Sequence, residues 1–143
     1  MPGPTSPLYH VIATTYAEVL GRTNPTDARV AFEDVVKLET DLKSPELGTS
    51  LASRGELELA QNKPKDAAVY FDRSIAAYES ISKDHLSLWK PLAGLARARH
   101  AIDPKADVRP LFERAIAIGV KAQISDEDMQ PIKEAMSSSQ RGK

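Results

Sequence analysis

The sequence contains no cysteine, which excludes disulfide bonds and thiolate metal sites. No apolar run approaches the roughly 18 residues that a membrane-spanning helix requires. Nor is there an excess of positive charge, because 19 Lys and Arg face 20 Asp and Glu. A nucleic-acid-binding protein gains much of its affinity from a basic surface. We therefore expect neither nucleic acid nor a membrane as a partner.

The short motifs that accompany catalysis and cofactor binding are also missing. The sequence has no GxxxxGK[ST], GxGxxG, GxSxG or HExxH segment. Its three histidines (His10, His85 and His100) lack metal-ligand spacing, so ordinary surface or partly buried histidines are favoured over metal ligands. We therefore predict a protein that is not an enzyme, with no catalytic residues, cofactor or metal.

The two ends of the chain differ from its centre. The apolar part of the N-terminus follows no basic segment, so it is a poor secretory signal, and we expect a cytoplasmic location. Residues 1–6 are rich in Pro and Gly, and residues 137–143 are SSSQRGK. Both are expected to be disordered tails around one domain at 7–136.

Signals for the start of a helix recur along this domain. Ser, Asn or Asp stands directly before Pro at Ser6-Pro7, Asn24-Pro25, Ser44-Pro45 and Asp103-Pro104. The spacing predicts seven helices, at about 7–21, 25–40, 45–61, 64–80, 85–101, 105–122 and 127–137. Three prolines inside these helices should kink them or mark a later start: Pro91, Pro110 and Pro131.

A repeat of about 40 residues relates these helices. Phe71 follows Phe32 by 39 residues and precedes Phe112 by 41. A small residue stands four positions before each phenylalanine, on the same face of a helix: Ala28, Ala67 and Val108. The repeats are predicted at about 7–43, 44–83 and 84–124, with a closing helix at 125–136. One helix pair cannot bury its own apolar stripe, so the pairs should stack.

The segments GELELAQNKPKDA, WKPLAGLARARHAI and VRPLFERAIAIG resemble tetratricopeptide repeats. The length of the repeat resembles the longer, kinesin-light-chain-like form found in bacterial signalling proteins and in C-terminal regions of Ser/Thr kinases. The resemblance covers about residues 7–136. It implies an all-α, right-handed helix-turn-helix solenoid of three helix pairs plus a C-terminal capping helix, with first helices lining a concave groove.

Some residues depart from the pattern of the family. Arg54, Glu58 and Arg99 stand where it has large apolar side chains or Tyr. Either the register on those helices differs, or the stems pack while the charged heads reach water. Tyr16 aligns with Gly55, which predicts a less closely packed first pair.

The resemblance also implies positions that line the groove. Carried over to this chain, they are His10, Thr49, Ala52, Glu56, Lys90, Ala93, Arg97 and His100. The recurring alanines either leave room for a ligand backbone or permit close helix packing. The basic side chains either hold an acidic segment or a C-terminal carboxylate, or are simply solvated. The Lys and Asn residues of the family's carboxylate clamp are absent, which argues against a chaperone-tail receptor.

Two functions fit these observations. The first is a non-enzymatic protein–protein interaction module, a scaffold that binds a peptide or protein surface in the groove. The alternative is a regulatory or oligomerisation segment of a larger multidomain signalling protein, such as a bacterial Ser/Thr kinase, with self-association. Trp89 is either an anchor for a partner or a large filler of the core.

Overall fold

The computed structural model describes residues 3–141, and within that range the chain is all-α without a strand. This confirms the all-α part of the predicted fold class. Seven α-helices are present, together with a short 3₁₀ helix at Leu86–Leu88 that leads into the fifth. They are α1 (Pro7–Gly21), α2 (Pro25–Asp41), α3 (Leu47–Ala60), α4 (Pro64–Ile81), α5 (Trp89–Ile102), α6 (Arg109–Lys121) and α7 (Asp126–Arg141).

The starts of the helices follow the capping signals of the sequence. The side chain of Asn24 accepts a hydrogen bond of 3.1 Å from the backbone N–H of Asp27, and Pro25 opens α2. Proline costs nothing there, because the N–H it lacks would have no partner within the helix. Pro110 is the second residue of α6, so this helix begins at Arg109 and not at 105. Pro131 lies inside α7.

Three helices end with the same turn. Lys43, Asn62 and Gln123 have positive φ angles of 51°, 56° and 58°. The N–H of the following residue donates to a carbonyl five positions earlier, at distances of 2.8, 2.8 and 3.0 Å. This geometry satisfies carbonyl groups at a helix end and reverses the chain. It closes α2, α3 and α6 and starts each of the connections that follow them.

The helices pack in the order of the sequence. Each helix contacts the next one along the chain. In addition α1 contacts α3, α3 contacts α5, and α5 contacts α7. The odd-numbered helices therefore form a continuous series of neighbours.

The repeated phenylalanines form the centre of this packing. Phe32, Phe71 and Phe112 are 1%, 0% and 1% exposed, and the small residues four positions earlier are equally buried. The predicted stripe is therefore the core.

The ring of Phe71 lies between two glycines on different helices. A Cβ atom added at Gly55 of α3 would stand only 2.7 Å from Cε1 of Phe71. One added at Gly94 of α5 would come closer still to the same ring. Only a residue without a side chain fits at either position, so the two glycines allow one ring to join α3, α4 and α5.

Two of the three charged residues that depart from the family pattern, Arg54 and Glu58, form an ion-pair network with Arg29 inside the protein. Glu58 is 2% exposed and lies 2.7 Å from Nε of Arg29 and 3.3 Å from Nε of Arg54. Arg54 also donates a 2.9 Å hydrogen bond to the carbonyl of Arg29 and lies over the ring of Tyr70. These heads are paired rather than solvated, and they tie α2 to α3. Arg99, in contrast, is exposed and pairs loosely with Asp72.

Helix α1 presents a different face from the one that the repeat alignment predicts. Tyr16, aligned with the buried Gly55, is 61% exposed. Ala17 is fully buried and packs in the cluster that contains Phe32. The face of α1 that meets the core is therefore rotated relative to α3.

Helix α7 is longer than predicted. Met129 and Ile132 are buried against the cluster that holds Phe112, as a closing helix requires. The helix then continues to Arg141, because Ser139 is 2% exposed and donates a 2.7 Å hydrogen bond to the carbonyl of Met136. Residues up to 141 in the predicted C-terminal tail are thus helical. The first two and last two residues of the predicted tails lie outside the described range.

Replacing Phe71 with alanine should lower the free energy of unfolding by about 3–5 kcal/mol, because it empties the space between the two glycines. Urea unfolding of wild-type and variant protein measures this loss. Val69→Ala, on an exposed part of the same helix, is the control and should change stability by less than about 1 kcal/mol. A loss from Phe71→Ala as small as that of the control would contradict the core position of the ring.

Candidate functional site: a groove across α1, α3, α5 and α7

An open groove with a volume of about 1020 Å³ runs across the four odd-numbered helices. Because these helices contact one another in series, their facing side chains meet on one surface. The lining also includes Phe32 of α2 and Tyr78 of α4, which reach between neighbouring helices.

The groove brings together six of the eight predicted positions. They are Thr49, Ala52 and Glu56 on α3, and Lys90, Ala93 and Arg97 on α5. His10 and His100 do not line it: His10 is buried elsewhere, and His100 is half-buried outside the groove.

Small and polar side chains form the centre of the groove. Ala52 and Ala93 are 7% and 3% exposed, so they belong to the packed contact of α3 with α5 as well as to the surface of the groove. Close helix packing and room for a ligand backbone, the two roles considered for these alanines, are therefore both compatible with the structure. The hydroxyl of Thr49 lies 2.8 Å from that of Tyr78. Burial raises the pKa of Tyr78 above its ordinary value of 10.0, so this hydroxyl keeps its proton at neutral pH.

The charges of the groove are balanced. Glu56 and Arg97 form an ion pair between α3 and α5, with both side chains partly exposed. The ammonium group of Lys90 lies 5.6 Å from the ring of Trp89 and makes no ion pair with a carboxylate of residues 3–141. Glu18 and Asp128 add negative charge to the lining. Arg22, which is exposed, adds a positive charge to the lining. Around Lys90 and Arg97 the predicted positive surface is therefore reduced to Lys90, while Arg22 is a second exposed cation of the groove.

Several lining residues were not predicted from the sequence. Asp128, Pro131 and Ile132 belong to α7, which the sequence analysis treated only as a cap. The series of odd-numbered helices would have indicated them, since α7 occupies the place after α5. Trp89 is half-buried and packs against the core cluster, as a filler of the core would. It also lines the groove, and its role as an anchor for a partner stays a prediction.

The structure places His10 away from the groove for a physical reason. The Nδ1 atom of His10 lies 3.1 Å from Oε1 of Glu39, which is fully buried. Ser50 donates a 3.0 Å hydrogen bond to the same oxygen, and Thr14 lies 2.9 Å from the hydroxyl of Ser50. A buried carboxylate needs such partners. His10 therefore faces inward and joins α1 to α2 and α3.

No group of three or more His, Asp or Glu residues within 3–141 is arranged to hold a metal ion. None of the described helices combines the length and the apolar character needed to cross a membrane.

Comparison with the models of known protein families, and with curated proteins, finds no match to this chain. The resemblance to tetratricopeptide repeats therefore stays a prediction.

The buried Glu39 should make the stability of the protein depend on pH. Burial raises its pKa above the ordinary 4.5, so the folded chain holds this proton more tightly than the unfolded chain. The stabilising contribution of Glu39 is complete below about pH 4.5. It is lost as the pH rises through the pKa of Glu39 in the folded chain. The free energy of unfolding of Glu39→Gln should therefore fall less over this range than that of the wild type.

Urea unfolding at several pH values between 4 and 8 measures the two profiles. Glu33→Gln is a matched control, because Glu33 is an exposed glutamate on the same helix. It should keep the wild-type profile. If the free energies of unfolding of the wild type and Glu39→Gln changed in parallel with pH, the raised pKa of the buried Glu39 would be contradicted.

Proposed function

We propose that this chain is a non-enzymatic, tetratricopeptide-like interaction module that binds a peptide segment of a partner protein in its groove. One observation carries this proposal. Six of the eight positions that the resemblance implies converge on one groove, which four successive odd-numbered helices form. The resemblance implies that tetratricopeptide proteins bind their partners in a groove lined by the first helix of each pair.

The proposed architecture is a right-handed solenoid of three helix pairs with α7 as its closing helix. The contacts of α1 with α3, α3 with α5 and α5 with α7 support it. So do the three buried phenylalanines and the burial of Met129 and Ile132 on α7. In such a solenoid the first helix of each pair would form the concave side, which agrees with the lining of the groove.

The chemistry of the groove suits a peptide. Leu57, Trp89 and Ile132 offer apolar contact, and the two alanines leave space for a backbone to approach. Thr49, Tyr78 and Gln61 offer hydrogen-bonding groups beside them. Peptide-binding grooves typically combine apolar contacts, which provide affinity, with a few polar groups, which orient the peptide.

The charges suit a partner with few acidic groups. Lys90 is available to a side-chain or C-terminal carboxylate, whereas Arg97 already shares its charge with Glu56. A strongly acidic partner would meet Glu18 and Asp128 as well as the exposed Arg22. We therefore expect one carboxylate of the partner near Lys90 and apolar contacts along the rest of the groove.

A regulatory or oligomerisation segment of a larger signalling protein is the second candidate. The outward surface of α1, described below, favours it. The two functions use different surfaces and do not exclude each other.

A peptide selected from a displayed library on the wild-type protein provides a probe of the groove. The charge-swapped variant Lys90→Glu with Arg97→Glu should bind the selected peptide at least about tenfold more weakly, as measured by isothermal titration calorimetry. The control is Lys65→Glu with Lys105→Glu, which makes the same change of charge at exposed positions outside the groove lining. Equal affinity for both double variants would contradict binding in the groove.

A further inference from the structure

The outward face of α1 carries a continuous row of exposed apolar side chains. Five large hydrophobic residues are between 41% and 61% exposed: Leu8, Val11, Ile12, Tyr16 and Val19. Their spacing of three, four or one residues places them on one side of a helix, over a length of about 16 Å. We refer to these five residues as the α1 stripe.

The α1 stripe lies opposite the face that α1 buries. His10, Thr14 and Ala17 point into the protein, towards α2 and α3. On a helical wheel these two sets of residues lie on opposite sides of the axis. A surface helix that packs on one side normally carries polar or charged residues on the other, so an apolar outer side is a departure that favours a covering partner.

The two ends of the helix series, α1 and α7, differ in the polarity of their outer faces. Helix α7 buries Met129 and Ile132 and exposes Gln130, Lys133 and Glu134. A polar outer face of this kind is what the terminal element of a repeat array needs in water. Exposed hydrophobic residues elsewhere, such as Val69 and Val120, are separate from one another along their helices. The α1 stripe therefore stands out as a contiguous uncovered surface.

We propose that the α1 stripe is the interface between two copies of this chain, which pair α1 against α1 in antiparallel orientation about a twofold axis. Such a contact brings the same surface of each copy together. With the axis near the middle of the stripe, Leu8 of one copy meets Val19 of the other, and Val11 meets Tyr16. Ile12 then meets Thr15, so large apolar side chains face each other towards both ends of the contact, and Thr15 lies beside the axis.

Charge and area both favour a second copy as the occupant. Glu18 is the one charged residue of α1, and it accepts a hydrogen bond from Ser53 beside the groove. No like charges of α1 itself would meet across the axis. The two stripes and the surface around them present on the order of 1,000 Å², which is the size at which specific interfaces begin.

Sedimentation velocity of the 143-residue chain tests this proposal. We expect a dimer of twice the 15.6 kDa chain mass at tens of micromolar protein. Thr15 is exposed and lies beside the proposed axis, so Thr15→Glu places two carboxylates close together there. This variant should raise the dissociation constant of the dimer by at least about tenfold. Val120→Glu, a matched change on the exposed surface of α6, should leave the dimer intact.

The absence of cysteine allows an independent measurement. Thr15→Cys should form a disulfide between two chains on mild oxidation, whereas Val120→Cys should remain largely unlinked. A wild-type monomer at several hundred micromolar would overturn the proposal. A dimer equally stable in Thr15→Glu would overturn it as well, because the contact would then lie elsewhere.

Discussion

The contact of one phenylalanine ring with two glycines sets the arrangement of the central helices. Phe71 of α4 fills the space that Gly55 of α3 and Gly94 of α5 leave open, and a side chain at either glycine would collide with the ring. Ala52 and Ala93 lie on the same two helices and face the groove. The distance that the ring imposes between α3 and α5 thus also sets the spacing of the two helices at the centre of the groove, which links core packing to the proposed function.

Most of the fold follows from local rules that can be applied to the sequence. The cap at Asn24 and Pro25 fixes the start of α2 because it depends only on neighbouring residues. The small residue four positions before each phenylalanine indicates the buried face, because positions four apart lie side by side on a helix. Six groove positions agree with those that the resemblance to tetratricopeptide repeats implies, and they lie on α3 and α5, which repeat one another closely.

The remaining features depend on contacts between distant segments. His10 faces inward because the fully buried Glu39, 29 residues away, needs a partner. Glu58 occupies an apolar position because Arg29 of the preceding pair reaches it. Tyr16 is exposed because α1 presents a rotated face to the core, which repeat alignment cannot reveal. Each of these depends on a tertiary partner that periodicity does not specify.

The most direct test of the central contact is a double-mutant cycle on Gly94 and Phe71, measured as free energies of unfolding. In an exposed helix, Gly→Ala stabilises by up to about 1 kcal/mol. Here Gly94→Ala should destabilise, because the added methyl group meets the ring. The smaller side chain of Phe71→Leu leaves room for this methyl group. The double variant should therefore lose about 1–3 kcal/mol less unfolding free energy than the sum of the losses of the two single variants. Additive effects, or a stabilising Gly94→Ala, would contradict the role of the ring.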